Sequence, residues 1–389
     1  MIGVEGQYVM VMKLGDNEDF LTDDLLHSFE TIQKAGGELP SFRMEFSTSD
    51  PLIVRAINEG NNLEVRYGRT LDDLQDSTWN IAYPTRSRNG DGRWRIRLTG
   101  LLASNGYMTT QSVNIHTGTS ASAISAAATR SGFTYVGNTN ASDSMNWIQA
   151  GLTDWEFIQQ SYVRYYGLGT SAAAIAVCSD GDFRFYDIRK VVSENQRNPL
   201  WRLNALAEPV EENDIIIGSD YIIAPGNGML NQWAGFGIDI YEHNWTSGEF
   251  SIHTNERPTD PIFQSIAAVS KYNRKSDVSH RYLAPTVLTE NVHANWNTAH
   301  AINLANLALC SSITLSCSYN YDFYDIKPLD VVQFTDDELN TDDAPDTTNY
   351  VDSGVYMVEC VGTCYVNRQL STSLILTRDS VGELSGGVS

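Results

Sequence analysis

Residues 142–160 read SDSMNWIQAGLTDWEFIQQ, and the rest of the chain is best read outward from them. The second half of the stretch starts a helix. Thr153-Asp154-Trp155-Glu156 has the S/T-x-x-E pattern of a capping box. In that motif the threonine hydroxyl and the glutamate carboxylate take backbone N–H groups that the first helical turn leaves unpaired. Trp155, Ile158 and Tyr162 follow at helical spacing, and Gly167 and Gly169 close the segment. Beyond it, Ala174 to Cys178 and Phe183 to Asp187 flank Ser179-Asp180-Gly181-Asp182, which predicts a β-hairpin. Upstream, residues 119–130 are rich in Ser and Ala and end before Gly132, the pattern of a short helix with a glycine stop.

On both sides of this mixed region the chain reads as strands. Phe42, Met44 and Phe46 alternate with Ser41, Arg43 and Glu45; Leu63, Val65 and Tyr67 with Glu64 and Arg66; Trp94, Ile96 and Leu98 with Arg93, Arg95 and Arg97. A period of two puts one face in a core and the other in water or against a neighbour. Glu59-Gly60-Asn61-Asn62 and Asn89-Gly90-Asp91-Gly92 mark the turns, and a small antiparallel barrel or sandwich is the expected solution. Strands return after residue 212, with Ile238 and Ile240, then Ile313, Leu315 and Cys317, then Val331 to Phe334, Val355 to Val361 and Leu374 to Leu376. A helix is expected between about 293 and 309, with Trp296, Ala299, Leu304 and Leu307 on or near one face. An acidic loop is expected over 335–353 and a disordered Gly/Ser tail over 382–389; there is no internal sequence repeat.

Composition narrows the function classes. The chain has 389 residues, 42% hydrophobic and 19% charged, enough for two to four packed domains. Its 29 glycines and 19 tyrosines suit a turn-rich β protein. A formal net charge of −22, with only 26 Lys and Arg, argues against a phosphate-neutralising groove and against an anionic membrane surface. No specific nucleic-acid binding and no membrane anchor are therefore expected. The start, Met1 to Gly6, has neither a basic n-region nor an apolar core, so a chain without a secretory leader, made in a cytoplasm, is expected. Five cysteines, an odd number, do not form a secreted disulfide framework.

Residues that might carry chemistry have plainer readings. Asp154 and Glu156 lie between aromatic neighbours, and a carboxyl beside an indole can act as a general acid; the capping box accounts for both without chemistry. Asp336, Asp337, Glu338, Asp342, Asp343 and Asp346 could gather a hard cation, but their spacing is not that of an EF-hand loop. Cys310, Cys317, Cys360 and Cys364 lack the C-x2-C spacing of a zinc site and read as buried thiols. His293 and His300 are seven apart on the expected helix and read as surface or satisfied core positions. No catalytic, cofactor-binding or metal-ligating residue is assigned, no cofactor is expected, and the chain is read as not an enzyme.

Two stretches carry a family resemblance. Residues 142–160 resemble the segment of phage tail hub proteins in which an "S-D-x-x-N-W" region precedes a "D-W-x-F-L-Q" helix. Lys327-Pro328-Leu329-Asp330-Val331-Val332, followed by Gly354 to Leu376, resembles that family's last barrel, where a "P-G-D-x-V" turn leads to "Y-x-V-x-x-V-x-H" and "T-x-L-x-L". Tyr356, Val358, Val361, Thr372, Leu374 and Leu376 match; Leu329 stands where Gly is usual and Thr363 where His is usual. The family includes the central hub of contractile phage baseplates, late-control tail proteins and the N-terminal part of type VI secretion spike proteins.

The resemblance implies a mainly β fold with α+β inserts: two related small β-barrels per chain and a helix-containing middle domain. The layout it implies is a tube-like barrel over 1–104, a middle domain over 105–200, a second barrel split into 201–262 and 309–380, a helical insert over 263–308 and a flexible tail over 381–389. It further implies a homotrimeric ring in a virion tail, assembled in the host cytoplasm. Its partners would be the tail tube protein above, a central spike or tail fibre or tip protein below, and baseplate or distal tail proteins around it. Mixed charges at Arg43, Glu45, Glu64, Arg66, Arg95 and Arg97 would suit pairing between subunits. A tail-associated wall hydrolase and a receptor- or glycan-binding tip protein are the alternatives.

Overall fold

The alternating stretches become strands because each can bury one row of side chains and leave the other in water. In the computed structural model, Ser41–Thr48 buries Phe42, Met44 and Phe46, Asn62–Gly68 buries Leu63, Val65 and Tyr67, and Trp94–Leu102 buries Ile96 and Leu98. The structure describes residues 9–14, 20–21, 25–68, 75–88, 90, 92–167, 172–195, 199–205, 214–217, 220–225, 237–244, 247–255, 262–263, 267–268, 280–288, 292–320, 325–336, 353–366 and 369–381. The stop at Gly169, the acidic stretch 337–352 and the tail 382–389 lie outside them.

The first strands form an antiparallel β unit. Leu26–Lys34 pairs with Ser41–Thr48, which pairs with Trp94–Leu102; then follow Gln75–Ile81, Asn62–Gly68 and Val9–Leu14. Trp79 is fully buried at the centre, with Phe42 and Phe29 rings 5.5 and 6.4 Å away. Gly100 allows the close approach of Gln75–Ile81 to Trp94–Leu102, because a Cβ at that position would lie 2.0 Å from the Asn80 carbonyl oxygen. A short helix, α1 (Pro51–Ala56), fills the link between two strands; Asp50 accepts from the Leu52 N–H at 2.7 Å and Pro51 opens the first turn.

The middle of the chain is mixed. A ribbon of Gln111–Gly118 and Met145–Thr153 holds α2 (Ser120–Arg130) and leads into α3 (Asp154–Tyr162). The expected hairpin is present as Ala173–Val177 and Asp182–Asp187, joined in parallel by Thr134–Gly137. A further helix, α4 (Ile188–Asn195), buries Ile188, Val191 and Val192. The capping box forms as expected: Glu156 N–H donates to Thr153 Oγ1 at 3.2 Å and Thr153 N–H to Glu156 Oε2 at 2.8 Å. The buried side of α3 is Asp154, Phe157, Ile158 and Ser161. Trp155 and Tyr162, expected on that side, are only half-buried.

The later strands form a second, mostly antiparallel unit, which Trp201–Asn204 joins in parallel, with its own core of Leu315, Phe334, Tyr356, Val358, Leu374 and Leu376. Gly354–Val366 is its centre, paired on one side with Gln369–Arg378 and on the other with Val331–Thr335. The same strand also pairs with Leu26–Lys34, so one fifteen-stranded sheet runs through both units. Beside them, Gly237–Asn244, Phe250–Asn255 and His280–Leu288 form a small sheet, and α5 (Trp296–Cys310) packs against it. The helix starts at Trp296, so His293 lies ahead of it rather than on it. Overall the chain is mainly β with a few helices.

The Lys327–Asp330 turn explains the departure at Leu329. Leu329 has φ of 73°, the left-handed conformation that favours glycine, while its side chain is buried among Val331, Met357 and Cys310. Leu329→Ala loses the buried side chain and keeps the strain, whereas Leu329→Gly loses the side chain and relieves the strain. Urea unfolding should therefore place Leu329→Ala below Leu329→Gly by about 1 kcal/mol, the reverse of the usual order. On α3, Thr153→Ala should cost about 1 kcal/mol and Phe157→Ala on the order of 3–5 kcal/mol. Trp155→Ala should cost less than Phe157→Ala in the same thermal unfolding series.

Candidate assembly site

The residues singled out for chemistry are absorbed by structure. Asp154 is buried and accepts from Ser131 Oγ at 2.8 Å, Gln149 Nε2 at 2.9 Å and Arg130 Nε at 3.1 Å. Glu156 is held by the cap, so the two carboxylates serve different partners and do not face each other across a cleft. Cys310, Cys317 and Cys360 are buried, Cys364 is half-buried, and all are free thiols. Burial pushes the Cys317 thiol up to about 12, which keeps it protonated and unreactive. Among the described residues no group of three or more His, Cys, Asp or Glu is placed to hold a metal ion. Of the acidic stretch, Asp336 is described at one end, where its N–H donates to Ser353 Oγ at 3.2 Å.

His293 and His300 do not converge on a site. The His293 ring lies 5.8 Å from Trp296, 6.3 Å from Trp147 and 6.4 Å from Tyr166, and Arg164 sits 3.9 Å over the Trp296 ring. Burial holds His293 below the ordinary histidine range, against the pull of Asp143. Burial, helped by the Arg164 charge, lowers His300 to about 4. His293 is a packing group between Trp147 of the ribbon and Trp296 at the start of α5.

Two polar joints connect the units. Arg184 Nη1 donates to Asp330 Oδ1 at 2.7 Å and to the Pro328 carbonyl at 2.9 Å, locking the Lys327–Asp330 turn to the middle hairpin. Burial works against the Arg184 cation, but Asp330 together with its other neighbours outweighs it and the guanidinium stays charged. Lys327 reaches the same hairpin through Asp180, and through Asp182 at 3.4 Å. At the other joint, Asn303 of α5 donates to the Val163 and Tyr165 carbonyls at 3.1 and 2.8 Å and accepts from the Ala173 N–H at 3.1 Å.

The polar face of the long sheet carries Glu30, Lys34, Arg43, Glu45, Arg95 and Arg97. Glu45 binds Arg95, and Arg97 at 2.7 Å; Arg66 binds Asp76 at 2.6 Å, and Lys13 lies 3.9 Å from Glu64. Most of the mixed charges expected to pair between subunits are thus matched within one chain. Arg43 alone of that set has no ion pair of its own among the described residues. The sequence reading also missed an exposed apolar face on the ribbon, at Val113, Ile115 and Ile148. Alternation in Gln111–Gly118 marks a strand, but it cannot say which row of side chains faces in.

No protein-family model and no curated protein matches the chain. Solved structures do. A tail protein from Neisseria meningitidis MC58 matches over 96% of this chain and 97% of its own, at TM-score 0.60 and 13% identity. The chain has the fold of a phage tail protein. The 43 kDa tail protein of prophage MuSo2 from Shewanella oneidensis shares this tail-protein fold, over 96% of this chain and 100% of its own, at TM-score 0.58 and 10% identity. A chain of the Francisella PdpA-VgrG complex matches at TM-score 0.50 and 8% identity, over 99% of this chain and 60% of its own. The match spans both β units and the region between them, so it concerns the whole architecture. No helix among the described residues is long and apolar enough to cross a membrane.

The Arg184–Asp330 joint is desolvated and the Glu45 pairs are not. Asp330→Asn, which leaves Arg184 buried without its counter-charge, should lower unfolding stability by about 3 kcal/mol or more. Glu45→Gln should cost about 1 kcal/mol at most, since its arginine partners are open to solvent. Equilibrium denaturation of the two variants checks the contrast.

Proposed function

We propose that the chain is a structural hub of a phage tail or a related injection machine. On this reading three copies form a ring that adapts a sixfold tail tube to a threefold central spike. Each copy supplies two tube-like β-barrels, one from residues 1–104 and one from 201–262 with 309–380, with the middle domain at 105–200 and a helical insert at 263–308. The observation that carries the reading is the continuous sheet. A strand of the first unit hydrogen-bonds to a strand of the second, and that geometry suits a wall built from two barrel positions per subunit. The tail-protein fold supports it.

The polar face of that sheet lines the conduit on this reading. Glu45 then has a purpose beyond stability. It occupies Arg95 and Arg97 and so limits the number of cations open to phosphate. The tail tube protein, the spike or tip protein and the surrounding distal or baseplate proteins are the partners, and the virion tail, assembled in the host cytoplasm, is the place of action. No catalysis is assigned. Asp154 and Glu156, the carboxylates weighed for acid catalysis, are taken up by the Arg130 network and the helix cap.

Native mass spectrometry and electron micrographs of the purified protein should give a three-lobed ring. A stable twofold dimer overturns the reading, because no twofold ring joins a sixfold tube to a threefold spike. Duplex DNA should not be retained at physiological salt, and Glu45→Gln should add salt-sensitive retention by releasing two arginines. Strong retention by the wild type, or none by Glu45→Gln at low salt, counts against the conduit face.

A further inference from the structure

The start of α5 sits in a joint whose polar groups are unmatched. His293 is 8% exposed, and its ring lies among Trp147 of the ribbon, Tyr166 beyond α3 and Trp296 of α5. Arg164 covers the Trp296 ring. Arg164 Nη1 and Trp296 Nε1 are buried without a hydrogen-bond partner among the described residues, and the His293 ring keeps an unpaired nitrogen. The helix end is bare as well. Its N-cap, Asn295, makes no side-chain cap bond, and the first turn has no acidic residue. Buried polar groups are nearly always paired, so a cluster of unpaired ones marks a place where the fold holds weakly.

The charges are unmatched too. Arg164 is half-buried and has no ion pair among the described residues; burial lowers it to about 10, so it stays charged. Asp143 pulls on His293, but that carboxylate is already taken: it accepts from Ser120 N–H at 2.9 Å, Ser120 Oγ at 2.6 Å and Tyr166 N–H at 3.0 Å. His300, one turn past Trp296, lies close enough to Arg164 to feel its charge. From the small sheet, Glu242 accepts from Asn297 Nδ2, and His253 stands opposite Ile240 in the strand register. The joint at the Lys327–Asp330 turn is built differently, because there the buried arginine has its carboxylate.

We propose that this joint is an acid-sensitive latch: proton uptake by His293 and His300 releases the start of α5 from the ribbon. Protonated in place, the two rings put two more cations beside Arg164, where water is scarce and no free carboxylate among the described residues receives them. Once the joint opens, water solvates all three. A histidine held below its ordinary value is neutral in the closed joint and protonates on opening. Closure is therefore complete above about pH 6.5 and weakens as pH falls toward about 4, the value to which burial and Arg164 bring His300. The release is local. Asn303, two turns past the helix start, keeps its bonds to the Val163 and Tyr165 carbonyls, and Ala301 and Ala305 stay packed on Ile240. Residues 293–300 come free, and Trp147 of the ribbon loses the His293 and Trp296 rings beside it.

Hydrogen exchange of the full wild-type chain checks this without a variant. Between about pH 7 and pH 5, opening at the amides of residues 299–301, corrected for the intrinsic pH dependence of exchange, should rise about twentyfold through His300 alone. The ladder between Leu26–Lys34 and Gly354–Val366 should change far less. His300→Gln, which keeps a polar side chain and cannot titrate, should remove that twentyfold, and His293→Gln added to it should remove the rest. An acid rise at residues 299–301 no larger than that of the ladder overturns the latch. So does a rise that persists undiminished in the histidine variants.

Discussion

Everything in this molecule hangs on one strand pairing, Leu26–Lys34 against Gly354–Val366. Residue 34 sits opposite residue 360, so the ladder closes almost the whole chain. The entropic cost of such a closure grows only slowly with loop length. Once made, it turns two β units with separate cores into one sheet. It also sets what lies on the outer side of that sheet, since the pleat carries the alternation of each strand into its neighbour. Phe29 faces the first core beside Tyr365, and Glu30 faces out beside Cys364.

The middle region works as a brace for this seam. Its hairpin is bonded to the Lys327–Asp330 turn by Arg184, and Gly36 N–H, just past the end of Leu26–Lys34, donates to the Ile175 carbonyl at 2.7 Å. The two β units are thus held at the ladder and again through a third body. The left-handed Leu329 belongs to the same brace. Its N–H donates to the Val358 carbonyl at 2.8 Å, and Val358 N–H returns to the Asp330 carbonyl at 2.8 Å. A strained residue persists where its neighbours over-determine it, and here hydrogen bonds on both sides do so.

Strands, the capping box, the hairpin and α2 were legible in the sequence because each is a local pattern with a local cause. What escaped was of three kinds. α1 and α4 are short; the Asp50-Pro51 start was a usable signal, and Ile188, Val191 and Val192 have helical spacing over too few turns to stand out. The buried side of α3 was misplaced by about one position, because Trp155 looks like the natural anchor and Phe157 takes the role. The remainder is tertiary. Nothing in Glu45 says that two arginines fifty residues on will claim it, and nothing in Val113 or Ile115 says that they face water. The match at Asp330 was read as a turn signature, and its partner Arg184 could not be seen without the fold.

The seam has a mechanical consequence. Seven residue pairs join Leu26–Lys34 to Gly354–Val366 in one ladder. A load applied along the strands puts all seven under shear together, so they must fail at once. A load applied across the strands peels them one after another and needs far less force. A sheet loaded through this seam is therefore strong along the strand direction and weak across it.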